Sequence, residues 1–222
     1  MSNLNHILNR GVEGRKLFLD TSDYVRFVHN LYEFNDRSPA IQSTRRSSGD
    51  VGFTKPNIRK RIVDIHGWCL MQNHYHLIIS ERIEGGLTLF MRKLNVGYAN
   101  YFNERYRRNG TLFQGRTKKV PIQRDAHFLY ILHYVHLNPL DYLETAQKWR
   151  QRDAGGIKNM NGALDYLKNY RGSSYLDYIG IKNFPSIITT SLFKPALGDY
   201  SEQVRSYLDD AEMDYSSSLL LE

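Results

Sequence analysis

The chain has 222 residues, of which 41% are apolar and 13% aromatic, enough to bury a core and too apolar for a disordered protein. One cysteine, Cys69, excludes an intramolecular disulfide and a cysteine-rich zinc site. The first thirty residues hold no secretory leader, and no window approaches the ~18 apolar residues of a membrane span, so a cytoplasmic protein without a membrane partner is expected. The net charge of +7 is uneven. Residues 201–222 carry six acidic and one basic side chain, so that tail is −5 and residues 1–200 are +12, a balance that points to a polyanionic partner, nucleic acid first.

In chain order, "NHILNRGV" (5–12) alternates and stops at glycine, as a strand does. "TSDYVRFVHNLYEFND" (21–36) repeats apolar residues at three and four, which predicts an amphipathic helix with Ser22 or Asp23 as N-cap. Residues 37–57, rich in Ser, Pro, Gly and Arg, read as a mobile loop. "RKRIVDIHGWCL" (59–70) and "HYHLIIS" (74–80) are apolar runs parted by three residues, hence a tight hairpin. Residues 87–107 form a second helix, "TLFQGRTKKVPI" (111–122) reads as a strand, and 125–138 as a third helix stopped by Pro139. That order is the βαββαβ(α) arrangement of a ferredoxin-like sandwich, an α+β fold with helices on an antiparallel sheet. We expect a catalytic domain over 1–143 and a small, mostly helical C-terminal extension over 144–222 that ends in the acidic tail.

Two side chains two apart on a strand share a face. His74 and His76 can therefore bring imidazoles to one divalent ion while Tyr75 turns to the opposite face. Taken alone, such a pair is more often structural. The third helix adds Tyr130, Tyr134 and Asn138 at i, i+4, i+8, on one face beside an apolar stripe. Asn138, in the last turn before Pro139, has a carbonyl oxygen that suits a metal. His133 and His136 fall on another side, which leaves His136 a supporting or nucleic-acid contact at best.

The segments "LMQNHYHLII", "GTLFQGR" and "LHYVHLNPL", in that order and spacing, resemble the tyrosine HUH transposases, and within them the REP-associated group. The resemblance runs over residues 1–143, and "NYRGSSYLDYIG" (169–180) is similar to the segment after the core in these proteins. It implies metal ligands at His74 and His76, a nucleophile at Tyr134, and a completed metal shell at Asn138. It further implies Mg²⁺ or Mn²⁺ as cofactor and single-stranded DNA with a hairpin as substrate, cut and rejoined through a 5′-phosphotyrosine link. The family includes both monomers and homodimers. Two departures stand out: Gln72 replaces a common proline, and Tyr75 replaces an aliphatic residue.

Candidate DNA contacts concentrate in "RYRRNGTLFQGRTKK" (105–119), where Arg105, Arg107, Arg108, Arg116, Lys118 and Lys119 interleave with Tyr106 and Phe113. Arg45, Arg46, Arg59, Lys60 and Arg61 also suit phosphates, and Trp68 suits stacking. The leading expectation is a metal-dependent single-strand endonuclease and strand transferase. A hairpin-binding protein that keeps the fold without cleavage is the alternative from another class, and a small-phosphoester hydrolase explains the histidines but not the basic stripe.

Overall fold

The computed structural model describes residues 4–38, 59–123, 125–150 and 156–209. The central sheet has four strands: β1 (Leu4–Arg10), β2 (Val63–Met71), β3 (His74–Glu81) and β4 (Lys118–Pro121). They lie in the order β2-β3-β1-β4 and every pairing is antiparallel. This is the expected ferredoxin-like order. Helices α1 (Thr21–Glu33) and α2 (Gly86–Arg105) cover one face, and α3 (Asp125–Leu137) covers the other.

Strand alternation sorts the sheet residues between two cores. Ile7, Tyr75, Leu77 and Ile79 pack with Phe27, Leu31, Phe90, Leu94 and Tyr98 of α1 and α2. Leu4 and Ile78 pack with Ile131, Leu132, Tyr134 and Val135 of α3. Each of these large side chains, removed from water, contributes about 1.5–3 kcal/mol before entropy is counted. Among them, Tyr75 turns away from the histidines as expected and donates through its hydroxyl to Asn95 Oδ1.

Two local expectations are corrected. The N-cap of α1 is Asp20, whose carboxylate accepts from the backbone N–H of Ser22 and Asp23. Asp23 is unavailable for that task because its own carboxylate is buried, accepting from Leu19 N, Tyr101, Arg105 and Tyr106. The strand foreseen over 111–122 shrinks to Lys118–Pro121. Gly110 and Gly115 have φ of 89° and 66°, which turn the chain before it can extend. Pro121, with no N–H to give, is tolerated because β4 is an edge strand.

The foreseen loop, apart from residues 37 and 38, lies outside the described residues, as do Arg45, Arg46 and the tail from 210 onward.

The C-terminal segment joins the same core as α3. It contributes α4 (Met160–Asn169), α5 (Tyr175–Tyr178), α6 (Lys194–Leu197) and α7 (Tyr200–Asp209). Leu164, Leu167, Tyr175, Phe193, Tyr200 and Val204 pack with Ile131 and Val135 in one buried cluster. It also closes the outer edge of β2. Leu70 N donates to Gly172 O, Ser174 N to Trp68 O, and Thr189 N to Ile65 O. An open strand edge invites pairing with another chain; here the protein's own backbone fills it. Among the described residues, no helix is long and apolar enough to cross a membrane.

Candidate active site

The site forms where β1 and β3 face α3. Register pairs Leu8 with His76 and His6 with Ile78, so His6 and His76 are diagonal neighbours on one face. His74, His76 and Tyr134 come together as the helix crosses the strands. The His74 and His76 rings lie 4.9 Å apart by centroid at an interplanar angle of 83°. The Tyr134 ring lies 5.7 Å from the His76 ring and 5.9 Å from that of His6. All of these residues belong to one chain, so no exchange between copies is needed to bring phenol and imidazoles together.

Both histidines are held through Nδ1. His74 Nδ1 lies 2.7 Å from Asn73 Oδ1, an atom that only accepts, so His74 carries its proton on Nδ1. His76 Nδ1 lies 3.0 Å from His6 Nε2. Nδ1 held by an outer partner is the arrangement usual for a metal-ligating imidazole, which then binds through Nε2. Burial drives the His76 pKa well below the usual histidine value, and the neighbouring His6, His74 and Arg150 push it the same way. Burial, with His127 nearby, pushes His6 down to about 3. His76 is therefore neutral at physiological pH, as a lone-pair donor to a metal must be, and so is His6.

Asn138 is fully buried at the start of the 3₁₀ turn Asn138–Tyr142. Its Nδ2 donates to Tyr134 O, which binds it to the turn of the nucleophile candidate. Its Oδ1 accepts from Arg150 Nη2 at 2.7 Å. That oxygen keeps a second lone pair, so one ligand bond is compatible with the contact. Arg150 also pairs with Asp141 and stacks on Trp149, and its guanidinium lies 5.5 Å from the Tyr134 ring centre. Among the described residues, no three His, Cys, Asp or Glu side chains gather as a ligand set. A third protein ligand to an ion at His74 and His76 would have to be of another type, and Asn138 is the candidate from the sequence. The two imidazoles fit a divalent cation in donor type.

Residues 39–138 match the family of IS200-like transposases. A solved structure described as a REP-associated tyrosine transposase bound to a REP hairpin is similar in fold, with TM-score 0.51 and 13% identity over 85% of this chain and 86% of that one. No curated protein sequence matches.

The candidate DNA contacts separate into two groups. Arg105 turns to Asp20 and Asp23 and joins α2 to the start of α1. Arg108 bonds Asn103 Oδ1 and Thr111 O. Arg59 stacks on Tyr32, and Arg61 bonds Thr189. These four have partners within the fold, Arg105 while remaining exposed. Arg107, Arg116, Lys118 and Lys119 are exposed, the two lysines on the edge strand β4, where Lys119 also reaches Thr88. Trp68 is fully buried, which removes it as a stacking surface. His136 is corrected likewise: it is buried in the core, bonding Tyr200 and Ser174, and ties α3 to the C-terminal segment.

Sequence reasoning missed His6, Asn73 and Arg150. The alternation of "LNHILNR" did put His6 on the face of Leu4 and Leu8, and a β1–β3 pairing would have carried it to His76. Nothing local signals Arg150, which reaches the site from beyond the 3₁₀ turn.

Proposed function

We propose that the protein is a metal-dependent endonuclease and strand transferase acting on single-stranded DNA beside a hairpin, with Tyr134 as nucleophile. The observation that supports this reading is the approach of Tyr134 to His76, whose ring lies beside that of His74, within one chain. The hairpin substrate rests on the fold shared with a transposase described with a REP hairpin, and on the exposed cations of β4.

His74 and His76, with Asn138 as third candidate, would hold Mg²⁺ or Mn²⁺, which supplies charge neutralisation at the scissile phosphate. The phenol oxygen of Tyr134 forms a bond to phosphorus. The bond from phosphorus to the 3′-oxygen breaks, and the phenol proton passes to water or to the departing 3′-oxygen. The product is a 5′-phosphotyrosine and a free 3′-OH. One phosphoester replaces another, so an incoming 3′-OH reverses the step and joins a new strand without ATP.

The test is covalent capture. Hairpin-bearing single-stranded DNA is incubated with the protein and Mn²⁺, and adducts are resolved on a denaturing gel. An adduct with the wild type and none with Tyr134→Phe is expected. Equal adduct from both variants overturns the assignment of the nucleophile.

Burial favours a second reading. Tyr134 is only 1% exposed, and His76 and Asn138 are fully covered, as suits a hairpin-binding protein that does not cleave. Tight hairpin binding with no adduct at any Mn²⁺ concentration would select it.

A further inference from the structure

We propose that His6 is a positioning residue that fixes the tautomer of His76, presenting the Nε2 lone pair of His76 to the bound metal ion. The inference rests on the metal-dependent reading above and adds a residue that neither the HxH motif nor the nucleophile helix contains.

The geometry is that of a directed hydrogen bond. His6 Nε2 and His76 Nδ1 are 3.0 Å apart, and the ring planes differ by only 5°. The centroids are 5.2 Å apart, which is what two coplanar rings meeting edge to edge produce; rings lying face to face would bring their centres closer. The shared hydrogen therefore sits in the plane of both rings, along the lone-pair direction of whichever nitrogen accepts.

Only one direction of that bond serves the metal. If His6 donates, His76 accepts on Nδ1 and carries its own hydrogen on Nε2, where an ion cannot bind. If His76 donates from Nδ1, its Nε2 lone pair is exposed to the ion. His74 already has this form, imposed by Asn73 Oδ1. His6 does for His76 what Asn73 does for His74, so the pair presents matching nitrogens.

The surroundings argue that His6 is present for this bond. It is buried between Leu4 and Leu8 of the same strand face, where an aliphatic side chain would pack without polar cost. Its other nitrogen, Nδ1, is buried and has no hydrogen-bond partner among the described residues. A buried polar atom left so is unfavourable in either tautomer. The bond to His76 is then what recommends a histidine at this position.

Two full-length variants separate positioning from packing. His6→Gln keeps an acceptor near the position of Nε2, whereas His6→Leu fills the space without one. In ¹⁵N-histidine-labelled, metal-free protein, long-range ¹H–¹⁵N spectra should report His76 protonated on Nδ1 in the wild type and in His6→Gln. The Nε2–H form should appear in His6→Leu. Mn²⁺ titrated by electron paramagnetic resonance should bind His6→Gln within about 3-fold of wild type and His6→Leu about 10- to 100-fold more weakly. An Nε2–H tautomer in the wild type overturns the proposal. So does equal Mn²⁺ affinity of the wild type and His6→Leu, which leaves the proposed function standing. A wild type that binds no Mn²⁺ overturns the metal reading itself and this inference with it.

Discussion

Arg150 Nη2 holds Asn138 Oδ1 at 2.7 Å, so the oxygen expected to complete a metal shell already answers to a guanidinium. The same cation pushes the His76 pKa downward, which marks it as part of the local field. A divalent ion at the histidines meets this like charge, moderated by Asp141. Arg150→Met should therefore tighten Mn²⁺ binding by about 3- to 10-fold, up to ~1.4 kcal/mol, as isothermal titration would measure. Unchanged or weaker binding would mean that Arg150 supports the ion instead of opposing it.

Asp23 is a structural anchor. Its buried carboxylate accepts from Leu19 N, Tyr101, Tyr106 and Arg105. Asp23→Ala leaves those donors without their acceptor and should cost about 2–4 kcal/mol in urea unfolding. Loss of Arg105 should likewise lower stability, while hairpin affinity of the folded protein stays unchanged. A stable Arg105→Met variant with weakened DNA binding would return this residue to the interface.

Lys118 and Lys119 on β4 are the better placed candidates for contacting DNA, since both are exposed at the sheet edge. Replacing both with Gln should weaken hairpin binding. It should also flatten the dependence of log K on log salt by roughly 0.7 for each phosphate no longer neutralised. Fluorescence anisotropy over a salt series checks this, and an unaltered slope would remove β4 from the binding surface.

His66 predicts how stability follows pH. Burial lowers its folded-state pKa below the usual 6.5, outweighing the raising influence of Thr189 O and Asp64. Below pH ~6.5 the unfolded chain takes a proton there that the folded chain refuses, so stability is full above that pH. It falls as pH drops toward the lower folded value, by at most ~1.4 kcal/mol per unit for this group. Buried His6, His76 and His136 act in the same direction. The urea midpoint should therefore fall between pH 7.5 and 5.5, and fall less in His66→Gln. An equal fall in both proteins would assign the effect to the other histidines.

Periodicity made the hairpin, α3 and the shared face of His74 and His76 legible, because each depends on neighbours within a few residues. The shared helix face of Tyr130, Tyr134 and Asn138 followed from i, i+4 spacing, and the roles expected of the last two from the family resemblance. His6 was not legible because its partner is 70 residues away, and only the register between β1 and β3 joins them. The ion pairs of Arg105 were hidden for a related reason: a basic residue at a helix end looks solvated until α1 brings Asp20 and Asp23 against it. The C-terminal segment hid its role since it meets β2 through backbone atoms at 172–174 and 189, and such pairings leave no hydrophobic rhythm.

The sealing of β2 by residues 172–174 and 189 has a consequence for dosage. A sister molecule cannot extend the sheet from that side, and the phenol and imidazoles need no loan from one. Under the proposed function each polypeptide would carry its own phenol and imidazoles, so output per molecule should hold steady as the protein is diluted. Mixing copies disabled at Tyr134 with copies disabled at His76 should restore nothing.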